Sequence, residues 1–311
     1  MFPPVLVLAA VAVGTVPGAA LLASAHWPYR SPATAILLWQ ALGLSWGLAA
    51  VGALAGLGAV PGRYGVAGGA LSGASRALRD AALGFGAPTT FTAAARLTVL
   101  AASAALLALL CWVLLAAIAA VLVARHRHRV LLSLLAHGDP KVPGALVVDH
   151  PSATAYCVPG LRSQIVISAG TLDLLDQAEL AAVLAHERAH LRARHDLVLL
   201  PFCALARAFP RAQLVRRAKT TVALLVEMLA DDQALRQRPA RELATALLRV
   251  GVSGAGQAPS GTLAAADAEV VARVNRLLAP PDRLSLATQA LICSAAVVLV
   301  AVPVTLLLFS L

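Results

Sequence analysis

The chain carries four long apolar stretches, and a more polar region lies between the third and the fourth. The uncharged runs cover residues 1–29, 31–62, 97–124 and 284–311. Each run exceeds the ~20 residues that a helix needs to cross the hydrocarbon core of a bilayer. The pattern therefore predicts four transmembrane helices, three before the polar region and one after it.

The first run also fits a cleaved secretory signal, because the small residues at positions 23–25 resemble a cleavage site. Its start carries no Lys or Arg, however, and its apolar stretch is longer than the usual signal core of ~7–15 residues. We therefore favour a helix that is retained in the mature protein.

The second run contains two glycine pairs, Gly43 with Gly47 and Gly52 with Gly56. Both pairs have the small-x-x-x-small spacing that allows transmembrane helices to approach closely. A chain with 22 glycines also produces this spacing by chance, so the sequence leaves both interpretations open.

The polar region changes from a helical to a strand-like period and back. Short β-type runs at 145–148, 153–158 and 164–168 are separated by turn-forming residues, which predicts a small sheet. Asp176 and Glu179 then have the spacing of a capping box, so a helix is predicted from Leu180 to Arg194. Further helices are predicted at 197–209, with breaks at Pro201 and Pro210, at 211–238 and at 264–278, with a loose connector at 251–261.

The segment 63–96 is rich in Gly and Ala and is predicted to be a flexible loop with one short helix. The chain accordingly divides into three predicted parts. Residues 1–124 hold three transmembrane helices and this loop, residues 125–284 form an inserted domain, and residues 285–311 form the fourth transmembrane helix. The predicted fold class is a mostly α membrane protein with an inserted α+β domain that contains a small β-sheet.

Composition agrees with a membrane protein. Hydrophobic residues make up 59% of the 311 residues, charged residues only 13%, and the mean hydropathy is +0.80, which is too apolar for an ordinary water-soluble domain. The net charge of +10 indicates orientation and attraction to anionic membrane lipid rather than direct nucleic-acid binding, since no RNA-binding aromatic signature or zinc-finger spacing occurs. The four cysteines form no C-x-x-C pair and are expected to be reduced, small apolar side chains.

Arginines beside the apolar stretches predict the orientation, because cytoplasmic flanks collect Lys and Arg. Arg125, Arg127 and Arg129 follow the third stretch, and Arg276 and Arg283 precede the fourth. The 125–284 region is therefore predicted to lie on the cytoplasmic side of the cell membrane, with the N-terminus outside. Residues 63–80 would then lie outside with three arginines against one aspartate, which opposes this orientation.

The motif that carries chemistry is His186-Glu187-Arg188-Ala189-His190, an H-E-x-x-H pattern on the predicted capped helix. Positions i and i+4 share one helix face, so both histidines can direct a ring nitrogen at one metal ion while Glu187 lies beside it. The alternative is two surface histidines that flank a solvated glutamate. The apolar neighbours of the motif and an acidic residue downstream favour a zinc site.

A catalytic zinc takes three protein ligands and keeps one position open, so a third donor is needed. Glu227, which lies with Asp231 on one face of the predicted 211–238 helix, is our choice. The competing interpretation pairs Glu227 with a nearby arginine as an ordinary helix carboxylate. Asp196, six residues beyond His190, is a rival ligand, but the glycine that such peptidases usually have midway is Ala193 here.

These residues resemble the gluzincin pattern, and the segment from Tyr156 to Asp232 is similar to the BlaR/MecR-type membrane zinc metallopeptidases. The resemblance implies three helices before a cytoplasmic gluzincin-type domain, a fourth helix after it, and one zinc ion per chain. The roles it implies are zinc ligands for His186, His190 and Glu227, general base for Glu187, orientation of a histidine ligand for Asp231, and mere solvation for Asp232. The family commonly has Asp five residues after the second histidine, where this chain has His195.

The expected function is a membrane zinc metalloendopeptidase in a regulatory role, with a BlaI/MecI-type repressor as the expected protein substrate. One alternative is HtpX-like quality control of membrane proteins, and another is a non-catalytic membrane signalling scaffold. Substrate backbone is expected to add as a strand along 153–158 or 164–168. Tyr156 is interpreted as a half-buried strand tyrosine, with oxyanion stabilisation as the alternative. The sequence leaves the oligomeric state open.

The β-lactam-sensing members of the family carry a penicillin-binding domain after the fourth helix, whereas this chain ends at Leu311. Its two lysines, Lys141 and Lys219, are not part of an S-x-x-K acylation motif. We therefore expect no penicillin-binding sensor domain and no direct sensing of β-lactams.

Overall fold

The structure is a computed structural model, and it describes residues 3–58, 65–82, 87–140, 142–160, 163–254 and 260–309. The chain forms two compact units. One unit contains residues 1–115, 208–218 and 284–311, and the other contains residues 116–207 and 219–283.

Most of the described residues are helical. In chain order the elements are α1 Pro3–Ser24, α2 Pro32–Gly58, α3 Gly65–Ala82, α4 Ala87–Leu135, β1 Ala136–Gly138, β2 Ala145–Val148, β3 Ala155–Val158, β4 Gln164–Ser168, α5 Ala169–Leu174, α6 Gln177–Ala193, α7 His195–Ala208, α8 Gln213–Ala234, α9 Ala240–Gly254, α10 Ser260–Leu278 and α11 Leu286–Leu308. A short 3-10 helix, Trp27–Arg30, joins α1 to α2.

Four of these helices are long and apolar enough to cross a membrane, and they correspond to the four predicted stretches. The spans are Pro4–Ser24, Pro32–Gly58, Ala93–Leu135 and Leu286–Leu308. The third membrane-spanning helix, α4, continues past the predicted end at 124, so the arginines that follow the apolar stretch belong to this helix rather than to a linker. The segment 63–96 is also more helical than predicted, because α3 alone runs for 18 residues.

Close helix packing in the first unit depends on two glycines of α2. A Cβ atom built on Gly52 would lie 2.9 Å from Leu307 Cδ2, and one built on Gly56 would lie 2.6 Å from Val5 Cγ2. Such separations are shorter than Cβ contacts in real proteins, so a side chain at either position would force its neighbour to shift, and the stiff Val5 beside Gly56 could shift less easily than the end of Leu307 beside Gly52. Gly43, by contrast, has no such atom within 4 Å.

The second unit contains a mixed four-stranded sheet in the order β1-β2-β4-β3. β2 and β4 are parallel, whereas β1–β2 and β3–β4 are antiparallel. All three predicted β-type runs form strands, although the one predicted from 153 begins at Ala155, and β1 was not predicted. Inward residues such as Ile165 and Ile167 pack against Leu180 and Leu184 of α6, which fixes the helix that carries the H-E-x-x-H motif against the sheet.

The predicted capping box at the start of α6 is present. Asp176 accepts hydrogen bonds from the backbone N–H groups of Ala178 and Glu179, and the Glu179 side chain accepts from the backbone of Asp176. Burial of Leu180 and its apolar neighbours then holds the helix in place, since packing of an apolar face supplies most helical stability.

The elements after α6 differ in several respects from the prediction. Pro201 lies inside α7, so the predicted break there is absent, and the helix ends at Ala208, before Pro210. α9 is a helix where none was predicted, and it extends through Gly254. The rest of the predicted connector lies partly outside the described residues, and α10 begins within it at Ser260.

Candidate metal centre

Helices α6 and α8 bring three metal-binding side chains together. The Nε2 atoms of His186 and His190 lie 3.0 Å apart. The Glu227 carboxylate approaches both rings, with Oε2 3.3 Å from His186 Nε2 and Oε1 3.5 Å from His190 Nε2. One donor atom from each of the three residues lies within 4.8 Å of the others. Sequence spacing thus placed all three members of this cluster.

The donor set fits zinc. Two imidazole nitrogens and one carboxylate oxygen are the ligands of a catalytic zinc that keeps a fourth position for water or substrate. The two Nε2 atoms face each other inside the protein, where His186 is only 6% exposed. A proton on one of these nitrogens gives a hydrogen bond between the rings, and two unprotonated nitrogens can instead share a cation. The cluster could therefore hold a metal ion in place of that proton.

The outer nitrogen of His186 is held by an acidic residue. Asp231 Oδ1 lies 2.9 Å from His186 Nδ1, as an ion-pair contact rather than a well-aligned hydrogen bond, and Asp231 is only 1% exposed. A carboxylate in this position favours the proton on Nδ1, which leaves Nε2 free to bind a metal. The structure thus places Asp231 where the sequence resemblance put it.

Arg273 of α10 joins Asp231 and Glu227 in one network of charged residues, and it was not predicted from the sequence. Its Nε and Nη2 donate to the two carboxylate oxygens of Asp231 at 2.9 and 2.7 Å, and its Nη1 lies 3.0 Å from Glu227 Oε2. The only signal in the sequence is an arginine at a buried position of an amphipathic helix. Pairing of Glu227 with an arginine, the competing interpretation, is therefore present together with its approach to the two histidines.

The network shifts the pKa values of its members. Burial disfavours the charged form of His186, but its contacts with Asp231 and Glu227 outweigh burial and raise its pKa to about 9. Burial likewise opposes ionisation of Glu227, yet hydrogen bonds from His186 and His190 hold its pKa well below the usual range. The pKa of Asp231 is also lowered, because hydrogen bonds from Arg273 outweigh the burial of the carboxylate. Both acids are therefore anionic at neutral pH.

Glu187, the residue after the first histidine, has an environment suited to a general base. Burial raises the pKa of this carboxyl group, and the nearby histidines only partly offset the rise. The Cys157 thiol of β3 forms a hydrogen bond with Glu187, and burial, followed by the negative charge of Glu187, raises the pKa of Cys157 to about 12. Cys157 is thus a neutral thiol next to the base, a contact that the sequence did not reveal.

The rival ligand Asp196 lies outside the cluster. Its Oδ2 atom accepts a hydrogen bond of 2.8 Å from Arg125 Nη2 of α4. The preceding residue, His195, instead contacts the His190 ring on the side away from the other two cluster members, and its Nδ1 lies 3.0 Å from His190 Nδ1. Burial lowers the pKa of His195 to about 4, so this ring is neutral at physiological pH.

Two further expectations can be compared with the structure. Asp232 was expected to be merely solvated, but this was wrong, because both of its carboxylate oxygens accept hydrogen bonds from Arg276, at 2.7 and 2.9 Å. The Tyr156 hydroxyl lies 2.9 Å from His128 Nε2 of α4. Tyr156 is thus a half-buried strand tyrosine whose hydroxyl is engaged with α4.

Four apolar helices of membrane-spanning length and a cluster of two histidines and one glutamate that could hold a metal ion are the features expected of a membrane zinc metallopeptidase. Residues 122–241 match the family model for Peptidase family M48, and this stretch contains the H-E-x-x-H motif and Glu227. The match supports a membrane zinc metallopeptidase, and it does not confirm the BlaR/MecR-type assignment. Comparison with curated proteins and with solved structures found no match.

Proposed function

We propose that this protein is a membrane zinc metalloendopeptidase that hydrolyses peptide bonds of a protein substrate. The observation that carries the proposal is the convergence of His186 Nε2, His190 Nε2 and the Glu227 carboxylate beside the buried Glu187. A structural zinc site usually closes all four positions with Cys and His, whereas this set offers three ligands of the catalytic type. That difference also weighs against the non-catalytic scaffold.

The residues of the chain have distinct tasks in this reaction. Zinc, when bound, supplies Lewis acidity that lowers the pKa of water from ~15.7 towards ~7 and polarises a carbonyl. Glu187 accepts the proton of the attacking water and later delivers it to the leaving amine. Burial raises its pKa above that of an ordinary glutamate, which makes it a stronger base towards the attacking water. Asp231 orients His186, and Arg273 orients Glu227.

The substrate backbone is proposed to add to β3. β4 lies between β2 and β3. Of the two segments considered in the sequence, only β3 is therefore an edge strand of the sheet formed by the described residues. Thr154 O accepts a hydrogen bond from Ser168 N, and the alternation of an antiparallel ladder then turns the backbone groups of Ala155 and Cys157 away from β4. Cys157 contacts Glu187, so this edge runs past the base.

The proposal places the peptidase domain on the cytoplasmic side, where the arginines of α4 and those before α11 favour it. A regulatory protease that cleaves a cytoplasmic protein such as a BlaI/MecI-type repressor is the first role, supported by the resemblance in sequence. Quality control of membrane proteins in the manner of HtpX is the second role, because the match to Peptidase family M48 is compatible with either role.

A cleavage assay with detergent-purified protein tests the activity and separates the roles. Wild type and Glu187→Gln are each incubated with a co-encoded repressor and with a misfolded membrane protein. We expect both proteins to hold one zinc per chain and only the wild type to cleave. Absence of zinc, or equal cleavage by the two proteins, contradicts the peptidase proposal. Cleavage of the membrane protein alone replaces the first role by the second.

A further inference from the structure

The two histidines of the cluster have different partners on their outer nitrogens. His186 Nδ1 faces the carboxylate of Asp231, whereas His190 Nδ1 faces the imidazole of His195 at 3.0 Å. The rings of His190 and His195 are nearly perpendicular, at 89°, with centroids 4.8 Å apart. His195 is only 2% exposed, so this contact is shielded from water. The outer nitrogen of His186 thus faces an anion, whereas the outer nitrogen of His190 faces a neutral ring.

The hydrogen bond between these two rings has only one arrangement when His190 binds a metal. A His190 ring that uses the Nε2 lone pair for the metal carries its proton on Nδ1 and must donate from there. His195 Nδ1 must then accept, so the His195 proton is on Nε2. That Nε2 atom is buried and has no hydrogen-bond partner among the described residues. A buried polar atom without a partner costs free energy, so burial alone does not favour a histidine at this position.

The backbone brings His195 to this position through an uncommon turn. α6 ends at Arg194 in the left-handed conformation, with φ 50° and ψ 46°, and α7 begins at the next residue. A residue other than glycine adopts this conformation at a cost of roughly 1–2 kcal/mol. Immediately afterwards, Asp196 is fixed by Arg125 at 2.8 Å. The left-handed turn at Arg194 and the ion pair of Asp196 with Arg125 therefore position His195 beside His190.

We propose that His195 is a positioning residue. As a neutral hydrogen-bond acceptor, it fixes the orientation and the tautomer of the His190 ring. The proposal rests on the zinc site of the proposed function. Outer partners of ligating histidines are commonly carboxylates, backbone carbonyls or water, and a carboxylate also makes the ligand more basic. The neutral ring gives the orientation without the added negative charge. A zinc ion held by His190 would therefore be bound less tightly, and would be a stronger Lewis acid, than with a carboxylate at position 195.

Three substitutions separate orientation from charge. His195→Asn keeps a neutral acceptor, His195→Phe keeps a flat ring but has no acceptor, and His195→Asp adds the carboxylate. Each full-length variant is purified in detergent, and its zinc affinity is measured at neutral pH by competition with a chelator of known affinity. The thermal unfolding midpoint of each metal-free variant serves as a control for folding.

We expect zinc affinity to fall about 10–100-fold in His195→Phe, to stay within about threefold of wild type in His195→Asn, and to rise in His195→Asp. Wild-type affinity in His195→Phe, or equal losses in the Phe and Asn variants, would overturn the orienting role. Weaker binding by a folded His195→Asp would overturn the charge argument. If His195→Phe does not fold, an affinity of His195→Asn well below that of wild type overturns the orienting role, and His195→Asp still tests the charge argument.

The same experiment distinguishes this inference from the proposed function. A wild-type protein that binds no zinc at all contradicts the metal site and, with it, the role of His195. A wild-type protein that binds zinc with an affinity indifferent to all three substitutions contradicts only the role of His195.

Discussion

Arg273 holds Asp231 through two parallel hydrogen bonds, of 2.9 Å from Nε and 2.7 Å from Nη2. Both side chains are buried, with 8% and 1% of their surfaces exposed. The third guanidinium nitrogen, Nη1, lies 3.0 Å from Glu227. One cation from α10 thus compensates two anions of α8, and the carboxylate ligand and the carboxylate behind the histidine ligand depend on the same guanidinium group.

Replacement of Arg273 by Met should destabilise the protein strongly. Removal of one partner from a buried charge pair leaves the other charge uncompensated, which costs about 3–5 kcal/mol. Thermal unfolding of the metal-free protein measures the effect. Arg276→Met is the matched control, because its partner Asp232 is 31% exposed and the expected loss is only about 1 kcal/mol. Equal losses in the two variants would contradict the importance of burial.

Zinc binding should release a proton at neutral pH. The pKa of His186 is raised to about 9 in the metal-free protein, so the stabilisation from its charged form is complete below the unfolded value of about 6.5 and is lost as the pH rises through 9. Because zinc needs the neutral ring, the apparent affinity should rise about tenfold per pH unit between 7 and 9. Calorimetry in buffers of different ionisation enthalpy counts the proton.

Asp231→Asn is the matched variant for this measurement. Asp231 contributes to the raised pKa of His186 both by its hydrogen bond and by its charge, so the amide should lower that pKa and reduce the number of protons released. Proton release that is unchanged in Asp231→Asn would show that another group titrates.

Alkylation of Cys157 should report on the charge of Glu187. The pKa of the thiol is raised to about 12, first by burial and next by Glu187, so little thiolate exists at pH 8 and reaction with iodoacetamide is slow. Glu187→Gln removes the negative charge, lowers the thiol pKa and should accelerate the reaction. Mass spectrometry of the peptide that contains Cys157 measures the rate in both proteins, and Cys157→Ala identifies the signal. Equal rates would contradict the contact.

Substitution of Ala155 by Pro should weaken substrate binding. The backbone N–H of Ala155 is turned away from β4 by the alternation of the ladder, so proline removes a donor to an added strand without removing a bond within the sheet. Peptide affinity for the Glu187→Gln background, measured by fluorescence anisotropy, should fall, whereas Ala155→Gly, which keeps the N–H, should retain more of it. Equal affinities in all three proteins would remove β3 as the docking strand.

Leucine at Gly56 should loosen the helices of the first unit. Its Cβ would approach Val5 to 2.6 Å, and forced packing of this kind costs about 1–3 kcal/mol. Gly43→Leu is the control, because nothing lies within 4 Å of that position. A lower unfolding temperature in detergent for Gly56→Leu alone is expected, and equal effects would mean that the spacing arose by chance.

The features predicted from the sequence have short-range causes. Apolar runs longer than a bilayer core identified α1, α2, α4 and α11, because length and hydropathy alone decide insertion. The spacing of His186 and His190 and that of Glu227 and Asp231 place each pair on one face of its helix. Asp176 and Glu179 form the predicted capping box between neighbours in sequence.

The features missed in the sequence depend on the tertiary fold. Arg273 lies 42 residues from Asp231 along the chain, and no local pattern connects the two. The contact of Cys157 with Glu187 exists only because β3 packs beside α6. Pro201 did not end α7, since packing outweighed the loss of one helical hydrogen bond. β1, with the sequence Ala-His-Gly, has no strand propensity of its own and is held by pairing with β2.

If a substrate adds to β3 as we propose, the edge of this strand determines which proteins are cut. Recognition by a four-residue strand depends on main-chain amides more than on side chains, so the scissile segment would first have to be extended and free of its own secondary structure. Tightly folded proteins would then escape cleavage whatever residues they display. Linkers, frayed termini and unravelled helices would be the vulnerable places, and the folding state of a substrate, more than its sequence, would set the rate of its cleavage.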